Sequence, residues 1–285
     1  MKKFTSIILT IALVASMGLM ATGCSKSSDK DSKKETRKER SRDDDKDEKD
    51  NKRDPEETKE DKPVESIVID GQASTGSKDA YSEAIVYLQI SAFSRQGLID
   101  QLTSEWGNNF SVEDATKAVD ALEANGEVDW NEQAVIAALN YIESMSYSEK
   151  TTLEELQSEY TGKFTKDQAE YAIKYINDNK LVDWDDVAFN YAKMTLNSMA
   201  YSKDGLISQT EDEYGGQFTH DQAVAAVERL EKEEKIDWNE QAVLIAKSYK
   251  EMFDMSNDEI VEQLTSEYGD KYTKEQAQYA VSKLK

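Results

Sequence analysis

One histidine, one cysteine and 58 acidic residues are what this 285-residue chain offers for chemistry. His220 sits in "FTHDQA", directly after Thr219, where parallel segments of the chain carry Val112, Lys166 and Lys274. A position that accepts such different side chains reads as an exposed helix start, and catalysis needs converging titratable groups rather than one isolated base. Cys24 is the only thiol, so no disulfide can form within the chain. The acidic runs "RDDDKDE" and "DWDD" lack the glycine and the closing glutamate of a calcium loop. No glycine-rich phosphate loop follows a strand, and no convincing strand is present. The expectation is a protein that is not an enzyme, with no catalytic residue, no cofactor, no metal and no small-molecule substrate.

Charge bears on nucleic acid as a partner. Residues 1–74 hold 16 Lys and Arg against 17 Asp and Glu, so of the chain's 35 basic and 58 acidic residues 19 and 41 fall in 75–285. That region carries a net charge of about −22, nearly the whole −23 of the chain. Short helices joined by a glycine-containing turn outline a helix-turn-helix. A helix entering a DNA groove, however, needs a basic face, because phosphate contacts dominate affinity. The helices that would enter here start "SVEDA", "TKDQA", "THDQA" and "TKEQA", neutral or acidic, so no nucleic-acid partner is expected.

The elements behind these residues recur at a fixed interval. "DWNEQA" occurs at Asp129–Ala134 and Asp237–Ala242, with "DWDDVA" at Asp183–Ala188; Trp130, Trp184 and Trp238 are 54 residues apart. Trp106, Tyr160, Tyr214 and Tyr268 keep the same spacing, as do Phe110, Phe164, Phe218 and Tyr272. A period this strict is a tandem repeat. From Asp129, a helix capped by Asp129 with Glu132 as a capping box is expected, with Ala134, Ala138, Tyr141 and Met145 on one stripe. A second cap falls at Ser148, matched by Ser94, Ser202 and Ser256, the last boxed by Glu259. In this second helix Leu156 and Tyr160 stand one turn apart, as do Leu102 with Trp106 and Leu264 with Tyr268. Turns "EWGNNFS", "EYTGKFT", "EYGGQFT" and "EYGDKYT" follow. Their glycine is expected to supply the left-handed backbone that ends a helix, and their hydroxyl residue to cap the next one. The third helix is the most regular, with Ala115, Ala118, Val119 and Leu122 at i, i+3, i+4 and i+7 and the same pattern in every copy.

The expected fold class is all-α: tandem 54-residue, three-helix, helix-turn-helix-like repeats at 75–128, 129–182 and 183–236, with a shortened fourth at 237–285. Gly76 stands where Trp130 would be, as suits the outermost unit of an array. Two readings of the recurring tryptophan stay open: it fills the seam between units, or it forms a ligand platform.

Ahead of the repeats lie two other segments. "MKKFTSIILTIALVASMGLMATGC" has two lysines, an apolar run from Phe4 to about Met20, and small residues before Cys24. It resembles a bacterial lipoprotein signal, which implies cleavage of residues 1–23 and attachment of a diacylglyceryl lipid to the Cys24 sulfur. An uncleaved membrane-spanning anchor is the alternative. Residues 24–74 contain both prolines and, as far as residue 65, almost no apolar side chain. Such a segment cannot bury enough surface to offset its ordering entropy, so a disordered, charged tether is expected.

The lipobox, the tether and the units "YSEKTTLEELQSEYTGKFTKDQAEYAIKYI" and "YSKDGLISQTEDEYGGQFTHDQAVAAVERL" together resemble the Ltp-like host cell surface-exposed lipoproteins. The resemblance covers nearly all of 80–285. It implies a helix-turn-helix-like fold and a lipid-anchored location on the outer face of the membrane of a Gram-positive bacterium or its prophage. It further implies superinfection exclusion by blocking phage DNA entry, through contact with a phage tail protein. The membrane, through lipidated Cys24, and a phage tail protein are therefore the expected partners. A structural or adhesive envelope lipoprotein that binds a host or cell-wall component is the alternative.

Overall fold

The computed structural model describes residues 75–284, which form twelve α-helices and no strand. Cys24 and the segments assigned to signal and tether lie outside the described residues. Each repeat contributes three helices: α1 (Thr75–Ile90), α2 (Arg95–Thr103) and α3 (Val112–Ala124); α4 (Trp130–Met145), α5 (Glu149–Gln157) and α6 (Lys166–Asp178). The third and fourth repeats are α7 (Trp184–Ser198), α8 (Lys203–Glu211) and α9 (His220–Glu234), then α10 (Trp238–Phe253), α11 (Asn257–Thr265) and α12 (Lys274–Ser282). In every unit the first and third helices make the broadest contact, and the short middle helix packs across both.

Local chemistry sets the helix starts. Ser94, Ser148, Ser202 and Ser256 cap the middle helices, and Ser111, Thr165, Thr219 and Thr273 the third ones, each hydroxyl accepting from the backbone N–H three residues on. The box is reciprocal at Thr165/Gln168, Thr219/Gln222, Ser256/Glu259 and Thr273/Gln276. It is not reciprocal at Asp129 and Asp237, whose carboxylates accept from the next turn while Glu132 and Glu240 return no bond. The expected box there is a simple aspartate cap.

The alanines of the third helices are buried: Ala115, Ala118, Ala169, Ala172, Ala223, Ala277 and Ala280 are fully enclosed, with Ala226 nearly so. They let the first helix lie close against the third, while Leu122, Ile176 and Leu230 fill the interior. The first-helix stripe holds for Ala134 and Ala138, with Tyr141 half-buried, but Met145 at its far end is exposed; Val135, Ala137 and Ile142 complete the buried face.

The tryptophans lie at the seams. Trp130, Trp184 and Trp238 each open the first helix of a unit, and each indole N–H donates to the residue seven positions earlier at the end of the preceding third helix. The acceptors are Glu123, Asn177 (2.8 Å) and Glu231 (2.9 Å). Trp130 packs on the core of the first unit, and Trp238 is buried in the core that the second and third units share. The seam reading of this residue therefore fits its position, although Trp130 and Trp184 are only half-buried.

A second contact repeats at the junctions. The middle helix of one unit meets the turn of the next through pairs 63 residues apart: Asp100 with Lys163, Glu154 Oε2 with Gln217 Nε2 (3.0 Å), and Ser208 Oγ with Lys271 Nζ (2.7 Å). The capping region adds Thr151 Oγ1 to the Gly216 carbonyl (3.5 Å) and Ser202 Oγ to the Asp270 carbonyl. Nearest-neighbour contacts of this kind couple the units of an array.

Candidate interaction surface

The turn between the second and third helices is built the same way in all four units. The middle helix stops at Thr103, Gln157, Glu211 and Thr265, and the following Ser104, Ser158, Asp212 or Ser266 takes extended backbone angles that cannot continue a helix. Its side-chain oxygen accepts from the N–H two residues on, belonging to Trp106 (3.2 Å), Tyr160 (3.3 Å), Tyr214 (2.8 Å) or Tyr268 (3.2 Å). Its carbonyl accepts from the fifth residue after it, Asn109, Lys163, Gln217 or Lys271. The buried or half-buried ring that follows, Phe110, Phe164, Phe218 or Tyr272, then donates its N–H to the carbonyl eight residues back, at 2.8 to 3.1 Å.

The left-handed residue of each turn is Asn109, Lys163, Gln217 or Lys271, with φ between 54° and 57°, and not the glycine that the sequence pattern suggested. Glycine is needed for space instead. A Cβ at Gly107, Gly215 or Gly269 would sit 2.4, 2.1 or 2.6 Å from the carbonyl oxygen six residues earlier. The second unit has Thr161 at this place, and its hydroxyl turns the close approach into a hydrogen bond to the Glu155 carbonyl (2.9 Å).

The consequence is a fully exposed aromatic side chain at the same place in every unit. Trp106 is 97% exposed, Tyr160 and Tyr214 are 94%, and Tyr268 is completely so. The spacing of four from Leu102, Leu156 and Leu264 suggests that these rings continue the second helix, one turn on from the leucines. The leucines are buried, but the chain has left the helix before the rings, which face solvent. Leaving a large apolar side chain in water forgoes about 1.5–3 kcal/mol of burial energy at each site. Scattered single cases are ordinary; here the exposed ring recurs on four turns of the same hydrogen-bonded build, which makes it a candidate contact surface. Each ring is preceded by an exposed glutamate, Glu105, Glu159, Glu213 or Glu267.

The junction of the third and fourth units adds depth. Tyr268, Glu267 and Lys271 stand between two open grooves, one walled by Asp204 and Tyr272, the other by Ser202, Asp212 and Asp270. Asp270 is half-buried, and burial raises its carboxyl above the usual range, partly offset by the hydrogen bond it accepts from the Tyr249 hydroxyl (2.7 Å). Burial first, then that same bond, pushes Tyr249 up to about 12. Tyr272 is raised as well, chiefly by burial and then by Asp270. Its buried hydroxyl has no hydrogen-bond partner among the described residues. The equivalent pair in the first unit is neutral: Tyr87 donates to Asn108 Oδ1 at 2.6 Å.

The remaining candidates from the sequence are placed simply. His220 is the first residue of α9, largely exposed, with Nδ1 2.6 Å from Glu211. Among the described residues no group of three His, Cys, Asp or Glu side chains is positioned to hold a metal ion. No helix among them is long and apolar enough to cross a membrane.

Compared with known families, the chain matches the host cell surface-exposed lipoproteins four times, at residues 77–122, 129–176, 183–230 and 237–284, together well over half its length. The chain belongs to this family. Each match runs from the first helix of a unit into its third, so the family unit includes the aromatic-tipped turn. Among solved structures, the chain is similar to Ltp, a superinfection exclusion protein from the Streptococcus thermophilus temperate phage TP-J34. The two are 36% identical over 36% of this chain and 99% of that one, with a TM-score of 0.31. Comparison with the curated proteins gives no match. Membership makes this a host cell surface-exposed lipoprotein by family.

Proposed function

We propose that this member of the family is lipid-anchored at Cys24 on the outer face of the membrane and excludes superinfecting phages. Its helical units bind a phage tail protein and so block entry of the phage DNA. The observation that carries the reading is the fourfold recurrence of an exposed aromatic on a rigid turn, in a region of about −22 charge, within a surface-exposed lipoprotein family. Exposed rings on turns held by hydrogen bonds suit a protein that acts by binding. A tether of 50 residues between Cys24 and the first unit, 31 of them charged, would let the array reach away from the membrane.

The test is phage plating and DNA entry on cells with and without the gene. Normal adsorption with reduced DNA entry supports exclusion; unchanged entry rejects it. The envelope alternative is favoured by one feature, since equally spaced contact points also suit a polymer. Retention of the array on purified cell wall, with no effect on phage, would put that reading in its place.

A further inference from the structure

We propose that the four aromatic-tipped turns are a multivalent docking edge for a Lys- and Arg-bearing segment of a partner protein, with a grooved seat at the junction of the third and fourth units. The proposal deepens the protein-binding reading above and rests on it.

The turns themselves supply the first argument. Each exposed ring is followed by a left-handed residue that reaches back to the preceding unit at three of the four turns: Lys163 to Asp100, Gln217 to Glu154, Lys271 to Ser208. The turn backbone is thus fixed on both sides while its ring stays free, so on this chain binding has to order the ring alone. An aromatic face with a carboxylate beside it is suited to one class of side chain in particular. A Lys or Arg head group gains from the ring quadrupole and from the charge of Glu105, Glu159, Glu213 or Glu267 together.

Charge at the seat supplies the second argument. Around Tyr268 the exposed carboxylates Asp204, Asp212 and Glu267 face one cation, Lys271, which is already bonded to Ser208. An uncharged sugar would leave that excess unanswered, and an anionic lipid surface would be repelled by it. Tyr272 lines one of the grooves, while its hydroxyl is enclosed and has no hydrogen-bond partner among the described residues. The other three units carry phenylalanine there, so an aromatic ring is the common wall at this place.

The probe is a 20-residue helical peptide with four arginines, against a counterpart with glutamate in their place, each titrated into the full chain in detergent micelles. The arginine peptide should bind and the glutamate peptide should not. Tyr268→Ala should weaken binding about tenfold, and Trp106→Ala, Tyr160→Ala and Tyr214→Ala about threefold each, the range of a partly solvated cation–π contact. Tyr268→Phe should bind nearly as wild type, because the ring face is kept. Tyr272→Phe should leave both binding and the helical spectrum nearly unchanged, since the hydroxyl is enclosed and phenylalanine is the native residue of the other units. Because the four tip rings are exposed, their replacement leaves folding intact, and circular dichroism checks this.

The quadruple alanine variant binding the arginine peptide as tightly as wild type would overturn the proposal, because attraction would then come from net charge alone. Binding of anionic vesicles or of wall glycan through the same rings, with no binding of the peptide, would overturn it equally. Phage plating separates this proposal from the functional reading. If both wild type and quadruple variant exclude phage, exclusion stands and the docking edge is wrong. If wild type excludes nothing yet binds the peptide through the rings, the edge stands and exclusion is wrong.

Discussion

Replacing Trp238 by alanine should be among the most damaging single changes in the array, while replacing Tyr214, 24 residues earlier, should be nearly silent. Trp238 is 8% exposed and joins the core shared by the second and third units, although it belongs to the first helix of the fourth. Its indole N–H also donates to Glu231, whose carboxylate the Lys203 ammonium and then this N–H hold below the usual range. Deleting a buried ring of this size costs about 3–5 kcal/mol. The lost bond adds little, since Glu231 keeps Lys203 at 2.6 Å and is reached by water. Tyr214 has no burial to lose, so its change should stay within about 0.5 kcal/mol. Urea unfolding followed by helical dichroism measures both. The Trp238 variant should also split the transition, because the fourth unit loses much of what couples it to the third. A cost below about 1 kcal/mol for Trp238→Ala, or above that for Tyr214→Ala, would refute the assignment of one ring to the seam and the other to solvent.

Three further outcomes are expected. Asp270→Asn should stabilise the chain at neutral pH, since asparagine keeps an acceptor for Tyr249, as Asn108 does for Tyr87, without a buried charge. Because burial raises the folded carboxyl of Asp270 above its unfolded value, its contribution is fully present below the unfolded value and lost as pH rises through the folded one. The advantage of the variant over wild type should therefore shrink in acid, and an advantage that grows in acid would contradict this. Gly215→Ala should destabilise by about 1–3 kcal/mol, because its Cβ would lie 2.1 Å from the Gln209 carbonyl; equal urea midpoints would show that the turn yields. Cys24→Ser should shift the protein from the membrane fraction to the soluble one or leave an uncleaved precursor. Mature-sized protein retained on membranes would count against lipid anchoring.

What could be read from sequence follows the range of the interactions. Caps such as Ser148, Thr165 and Thr219 act over three residues, so a hydroxyl before an apolar stripe was enough to place them. The alanine stripe of α3, α6, α9 and α12 was equally legible, because every one of its positions faces the first helix. Tyr160 was misread for a physical reason. Its spacing from Leu156 is that of a helical stripe, but Ser158 turns the chain out of the helix between them. The left-handed residue escaped notice because it is Lys163 or Gln217 beside a more conspicuous glycine. The contacts 63 residues apart could not be read at all: they join different repeats, and no pair of residue types recurs, Asp with Lys, Glu with Gln, Ser with Lys. The interaction surface emerged only when folding showed which of the periodic aromatics are buried and which are not.

The most direct test of the central claim follows labelled phage DNA into three otherwise identical strains: one without the gene, one with it, and one carrying alanine at Trp106, Tyr160, Tyr214 and Tyr268. With equal adsorption on all three, entry should be blocked by the wild-type protein and restored by the quadruple variant, which is present on the surface in equal amount. Free entry into wild-type cells would contradict the account.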